Sequence, residues 1–144
     1  MEQRLSTIAL RVTGIARAER FYSAMGWQKS RLSRDDALLF NANGIVLNIV
    51  RRRVSGRVAP VTATPEEQLA EAAVILVYVV RPEEDVTSIL QLAEASGGII
   101  LKAAEGHPGK PESGYFSDPD GHIWEVARTT RTQVGADGSF QLAN

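Results

Sequence analysis

The sequence predicts an α+β fold built from two βαβββ modules in tandem, with eight strands in all. Three observations carry this. The apolar period runs from two to about 3.6 and back to two over Thr7–Val50. The same order of periods starts again at Val74 and ends at Ala127. The two stretches also align residue on residue. Gly44–Val50 falls on Gly121–Ala127 at an offset of 77, and Leu39-Phe40-Asn41 falls on Tyr115-Phe116-Ser117 at an offset of 76, one residue being gained in the second turn. One such module leaves a face of its strands uncovered, so two must pair to close a core.

In chain order, Ile8, Leu10 and Val12 alternate with Thr7, Ala9 and Arg11, as in a strand with one apolar face. Thr13-Gly14 breaks the strand. Ala18, Phe21, Tyr22 and Met25 then recur at helical spacing, and Gly26 stands where a helix exit is expected. Trp27–Leu32, Ala37–Phe40 and Ile45–Val50 read as three strands, the last two joined by the turn Asn41-Ala42-Asn43-Gly44. The Pro-, Gly- and Thr-containing stretch after Arg53 reads as a connection. A short helix is expected from Pro65 to Ala72, since proline suits a first helical position and Glu66 and Glu67 suit the positive helix start. Val74–Val80, rich in β-branched residues, reads as a buried strand. Pro82–Ser96 reads as a helix with acidic residues in its first turn, and Gly97-Gly98 ends it as Gly26-Trp27 ends the first. Ile99–Lys102, Gly114–Phe116 and Ile123–Ala127 complete the second set. The expected organisation is a first module at 1–53, a linker at 54–73, a second module at 74–129 and a tail at 130–144, one structural domain overall.

The composition is that of an ordinary folded domain: 144 residues, 44% apolar and 23% charged. A net charge of −1 makes nucleic acid and anionic membranes poor partners, and the run Arg51-Arg52-Arg53 reads as a solvated strand end. The chain has no cysteine, which excludes disulfides, thiolate metal sites and cysteine nucleophiles. No apolar stretch reaches the roughly 18 residues of a membrane span, and a cytoplasmic location is expected.

The segment Gly114-Tyr115-Phe116-Ser117-Asp118-Pro119-Asp120-Gly121-His122-Ile123-Trp124-Glu125-Val126 resembles the turn and last strand of the vicinal-oxygen-chelate superfamily, the glyoxalase, bleomycin-resistance and extradiol-dioxygenase relatives. Val12-Thr13-Gly14-Ile15, Phe21-Tyr22 and Gly26-Trp27 resemble that superfamily's first strand, helix and helix exit. The likeness runs over residues 7 to 129 and is nearest to a glyoxalase-like subgroup of undefined reaction. It implies a cup-shaped eight-stranded mixed sheet. In active relatives the cup holds one divalent metal, bound by His, Glu or Gln from the first and last strand of each module. It also implies a homodimer, since relatives commonly pair modules across chains.

Carried onto this sequence, the four ligand positions fall on Thr7, on Asn48, on Ile75 or Tyr78, and on Glu125. Matching strands selects Ile75 and matching helices selects Tyr78, because the second strand-to-helix turn is about three residues longer. Only Glu125 is a ligand type. Threonine and asparagine are weak neutral donors, so neither a metal nor any other cofactor is expected. Two accounts of Glu125 follow. In one it forms an ion pair with Arg11, on the Thr7-Ala9-Arg11 face. In the other it anchors, or takes a proton from, an organic ligand. His107 and Lys110 lie in a Gly/Pro-rich loop that in the resembling subgroup covers the cup mouth. His122 reads as a turn residue, and Tyr22, Trp27 and Trp124 as core. Ser113 has no histidine partner, and no phosphate-cradling glycine loop is present. The expectation is metal-independent binding of a small organic molecule by Thr7, Arg11, Asn48, Tyr78, His107 and Glu125. The alternatives are a lyase, isomerase or dioxygenase-type enzyme using Glu125 as its catalytic residue, and a subunit whose dimer surface is its main product.

Overall fold

A computed structural model of the chain describes residues 1–53, 62–106, 111–130 and 134–140. It divides into two compact units, Met1–Val61 and Thr62–Asn144.

In the first unit, strand β1 (Thr7–Val12) leads through Gly14 into helix α1 (Ile15–Ala24), followed by β2 (Ala37–Ala42) and β3 (Ile45–Arg51). The strands form one sheet in the order β1-β3-β2, parallel between β1 and β3 and antiparallel between β3 and β2. Alternation sorts the side chains as the sequence predicts. Leu10 and Val12 are buried, while Thr7, Ala9 and Arg11 are exposed. Helix α1 buries Ile15, Ala18, Phe21 and Tyr22 against that sheet, and Tyr22, Trp27 and Phe40 pack edge-on or tilted around one another. Asn43 and Gly44 both have positive φ, 47° and 88°, and so form the two-residue turn that joins β2 to β3.

The second unit opens with α2 (Pro65–Ala70). Thr64 caps this helix by accepting from the Glu67 amide, while the Glu67 carboxylate accepts from the Thr64 amide. β4 (Leu76–Val79), α3 (Val86–Ala95), β5 (Ile99–Glu105), β6 (Glu112–Ser117) and β7 (Ile123–Arg128) follow. Their sheet has the order β4-β7-β6-β5, again with the first and last strands of the module parallel. Arg81 ties the short hairpin around Val134 and Phe140 to this unit by donating to the Gly135 carbonyl at 3.0 Å.

The repeat read from the sequence is present in the backbone. Both main helices end on a glycine of positive φ, Gly26 (89°) and Gly97 (104°). In each, the glycine amide and the amide after it donate back into the last turn: Gly26 to Ser23 and Trp27 to Tyr22, Gly97 to Glu94 and Gly98 to Ala93. Asn48 lies opposite Leu39, and its counterpart Glu125 lies opposite Tyr115, so the residue gained in the second turn leaves the pairing intact.

Two expectations are corrected. Eight strands were expected, and the described residues hold seven, three in one sheet and four in the other. The missing one is Trp27–Leu32, which makes only an isolated bridge between Lys29 and Phe40. Its four central residues, Gln28-Lys29-Ser30-Arg31, give no apolar face to hold a longer ladder. Val74–Val80, expected as a buried strand, is mostly exposed: Val74 is 69% and Val77 55% exposed, and only Val80 is buried. The fold is otherwise the α+β arrangement expected. Residues 54–61 of the expected linker lie outside the described residues.

Candidate functional site

In each sheet a helix covers one face, and Thr7, Arg11, Asn48 and Glu125 stand on the other. The strand registers place them in rows. In the second unit, Val77 of β4 pairs with Glu125 of β7, Glu125 with Tyr115 of β6, and Tyr115 with Lys102 of β5. Residues in register share a face, so these four cross the open side of the sheet in one line. Trp124 and Val126, the neighbours of Glu125, are buried on the side of α3.

Tyr115 stands directly opposite Glu125 across the ladder. Burial first, and then interaction with the Glu125 carboxylate, raises the Tyr115 pKa above the ordinary phenol value. Tyr115 therefore stays protonated and remains a donor throughout the neutral range. Lys102 forms an ion pair with Glu105 at 3.0 Å beside it.

Glu125 thus has a partner inside its own unit, which the sequence reading did not assign. Tyr115 was missed although the signal was present. The offsets of 76 and 77 already paired it with Leu39, and Glu125 with Asn48, on facing strands of one hairpin. Arg11, the partner expected for Glu125, belongs to the first unit and Glu125 to the second.

The first unit has the corresponding row. Ala9 of β1 pairs with Asn48 of β3, and Asn48 with Leu39 of β2. Thr7 stands opposite Val46 and Arg11 opposite Val50, both exposed on the same face as Ala9. The Asn48 Oδ1 is buried with no hydrogen-bond partner among the described residues. A buried amide oxygen without a donor is costly, so this position favours an incoming N–H or O–H group.

Register also decides between Ile75 and Tyr78. Ala9 pairs with Asn48 as Val77 pairs with Glu125, which makes the strand offset 68 (9 to 77), whereas the helices start at an offset of 71 (Ile15 to Val86). The three-residue difference is the longer turn. Thr7 therefore corresponds to Ile75. Tyr78 is in register with the fully buried Val126 on the helix side, and its hydroxyl donates to Glu84 Oε1 at 2.6 Å, in the turn that enters α3. The structure thus sets Tyr78 apart from Glu125. His107 and Lys110 lie outside the described residues.

His122 belongs to the turn. Buried Asp118 accepts from the Asp120 and His122 amides, each at 2.9 Å, and its other oxygen meets His122 Nδ1 at 2.8 Å. This carboxylate pins the Asp-Pro-Asp-Gly-His turn and so fixes where β7 starts.

At the positions that the resemblance assigns to metal ligands, the first unit holds Thr7 and Asn48 and the second Ile75 and Glu125. Neither pair supplies more than one carboxylate, a weak set by itself for a divalent or transition metal. Among the described residues no group of three or more His, Cys, Asp or Glu is placed to hold one.

A strand-helix-strands module repeated twice, with first and last strands parallel and adjacent, defines a protein of the tandem βαβββ class. The chain belongs to the Glyoxalase/Bleomycin resistance protein/Dioxygenase superfamily, whose family model matches residues 4–126. It is similar to the crystal structure of a glyoxalase-related enzyme from Fulvimarina pelagi, at 27% identity and a TM-score of 0.78, over 99% of this chain and 100% of that one. A glyoxalase/bleomycin resistance protein/dioxygenase family enzyme from Burkholderia phytofirmans PsJN is similar at 14% identity and a TM-score of 0.66, over 86% and 97%. The fosfomycin resistance protein FosX from Mesorhizobium loti is similar at 17% and 0.63, over 90% and 95%. The last two likenesses concern the fold alone. No curated protein matches the chain. No helix among the described residues is long and apolar enough to cross a membrane.

Proposed function

We propose that the chain binds a small organic molecule on the open face of its second sheet, without a resident metal, and that Glu125 with Tyr115 is the polar anchor. The observation that carries this reading is the row Val77–Glu125–Tyr115–Lys102. It sets a carboxylate and a phenol between Val77 and the Glu105-paired Lys102, on the face that the helix leaves uncovered. A few convergent polar groups against apolar side chains are what orients a small ligand. The ligand suited to it has an apolar body and a hydrogen-bond donor for Glu125. The open face of the first sheet carries polar groups of its own, Thr7, Asn48 and Arg11.

The test is a thermal-shift screen of uncharged and weakly basic organic molecules in the presence of EDTA, with elemental analysis of the same preparation. A ligand at one hundred times its Kd adds about 2.7 kcal/mol of stability, or roughly 5–10 °C in Tm for a chain of this length. The shift should survive EDTA and fall by more than half in Glu125→Gln. Stoichiometric bound metal, or a ligand shift abolished by EDTA, overturns the metal-free reading. Light scattering on the same sample tests the homodimer.

A further inference from the structure

We infer that the first unit carries a second binding site, for a small phosphomonoester dianion, in the cleft between α1 and the segment that follows it. The cleft has a volume of about 480 Å³ and is lined by Ile15, Ala16 and Glu19 of α1, by Lys29–Arg31 and Ser33–Asp35, and by Leu38 and Arg51. This is the size of an ordinary small-molecule pocket. It lies on the helix-covered side of the sheet, away from the row around Asn48, since Ile15 and Leu38 are core residues on that side.

Its charges do not cancel. Lys29 is neutralised by an ion pair with Glu19. That leaves Arg31, Arg34 and Arg51 against Asp35 alone, an excess of two positive charges in one concavity. None of the three arginines forms an ion pair among the described residues. Like charges held together without partners repel, so an anion placed among them is stabilised by all three. A guanidinium also offers paired N–H donors that match two oxygens of a phosphate, which a point-charge lysine does not.

The two serines fit the same ligand. Ser30 Oγ accepts from the Leu32 amide at 3.2 Å, and Ser33 Oγ accepts from the Leu39 amide at 2.9 Å. With the oxygens so engaged, both hydroxyl hydrogens are left to donate. Apart from Asp35 and the Glu19 carboxylate that Lys29 neutralises, the polar side chains of the site are donors and cations, and Ile15 and Leu38 supply an apolar floor for an organic group. A nucleic acid is a poorer match, because the excess charge is confined to one cleft on a chain of net charge −1.

The test is calorimetric titration of the full chain with phenyl phosphate, inorganic phosphate and succinate, each at constant ionic strength set with chloride. Saturable one-to-one binding of phenyl phosphate is expected, tighter than that of succinate. Arg34→Gln and Arg51→Gln should each weaken it about tenfold, the loss of one charge-assisted contact. Asp35→Asn removes the opposing carboxylate and should tighten binding at least threefold, a gain that misfolding does not produce. No saturable binding at 10 mM phosphate ester, roughly the weakest affinity that would count as a site, overturns the proposal. So does equal affinity for succinate, preferred binding of a single-stranded oligonucleotide, or loss of binding in Glu125→Gln with the arginine variants unaffected. Failure here leaves the organic-ligand reading of the second sheet untouched, because the two sites share no residue.

Discussion

Gly114 on β6 is the position where the packing of the second unit can be tested by a single methyl group. A Cβ built there would lie 2.5 Å from Leu90 Cδ1 and 3.0 and 3.1 Å from the backbone N and Cα of Ala104. Leu90 is buried on α3 and has no solvent to swing into, and Ala104 belongs to the paired strand β5. Gly114 is not among the glycines of positive φ, so Gly114→Ala meets a packing cost without a backbone one. Overpacking costs about 1–3 kcal/mol, and contact with both a helix and a neighbouring strand points to the upper half, about 2–3 kcal/mol. For a chain of this size that lowers Tm by roughly 4–12 °C. Urea unfolding should show the midpoint falling with the slope unchanged. Adding Leu90→Ala, which removes the nearest clashing atom, should make the double variant at least about 0.5 kcal/mol more stable than the sum of the two single losses. A Gly114→Ala variant within about 0.5 kcal/mol of the parent, or strict additivity with Leu90→Ala, would refute the assigned helix-to-strand approach.

Three further outcomes follow from named groups. Asn48→Leu should leave stability unchanged or raise it by about 1 kcal/mol, because it removes an amide oxygen buried without a donor; a loss above 2 kcal/mol by urea unfolding would mean that this oxygen is satisfied. Asp118→Ala should cost about 2–3 kcal/mol by the same assay, since two amides and the His122 ring lose their acceptor, and a neutral result would show that the turn holds itself. The Tyr78 phenol is pushed up to about 12, first by burial and then by its hydrogen bond to Glu84. The folded state therefore keeps this proton more tightly than the unfolded chain, whose phenol titrates near 10. The associated stability is fully present below about pH 10 and is lost as pH rises toward 12. Melting curves from pH 9 to 11.5 should fall less steeply for Tyr78→Phe than for the parent; parallel curves would count against the hold of Glu84 and partial burial on this phenol.

Where local chemistry determines structure, the sequence was readable. Gly26 and Gly97 end helices because only a residue tolerant of positive φ lets the following amides turn back onto the last carbonyls. Asn43-Gly44 sets a two-residue hairpin for the same reason. Thr7–Val12 revealed its faces by alternation. Exposure was less readable. The run Val74–Val80 has the composition of a strand covered on both sides, yet composition reports only that a strand is favoured, and whether a neighbour covers it is decided by residues far away in the chain.

The face that carries Glu125 was readable, and its neighbours on that face less so. Glu125 could be placed on the open face from its own strand, because alternation needs no knowledge of the neighbours. Its partner could not be chosen that way. Opposite charges were the visible chemistry and pointed to Arg11, in the other unit; the register adds a phenol, Tyr115, directly across the ladder. The position of Tyr78 was hard to read for a related reason. Helix matching counted residues through a turn of different length, and three extra residues between Val80 and Val86 are an odd number. An odd shift along a strand moves a side chain to the opposite face, which is why Tyr78 meets Glu84 while Val77 shares the face of Glu125. The same parity rule makes the row testable without any ligand. Glu125→Gln should return the Tyr115 phenol toward its ordinary titration range by removing the negative charge that holds its proton. Glu84→Gln should do so for Tyr78 alone. Ultraviolet titration of the two variants separates the faces, and a Tyr115 transition unmoved by Glu125→Gln would break the row on which the site rests.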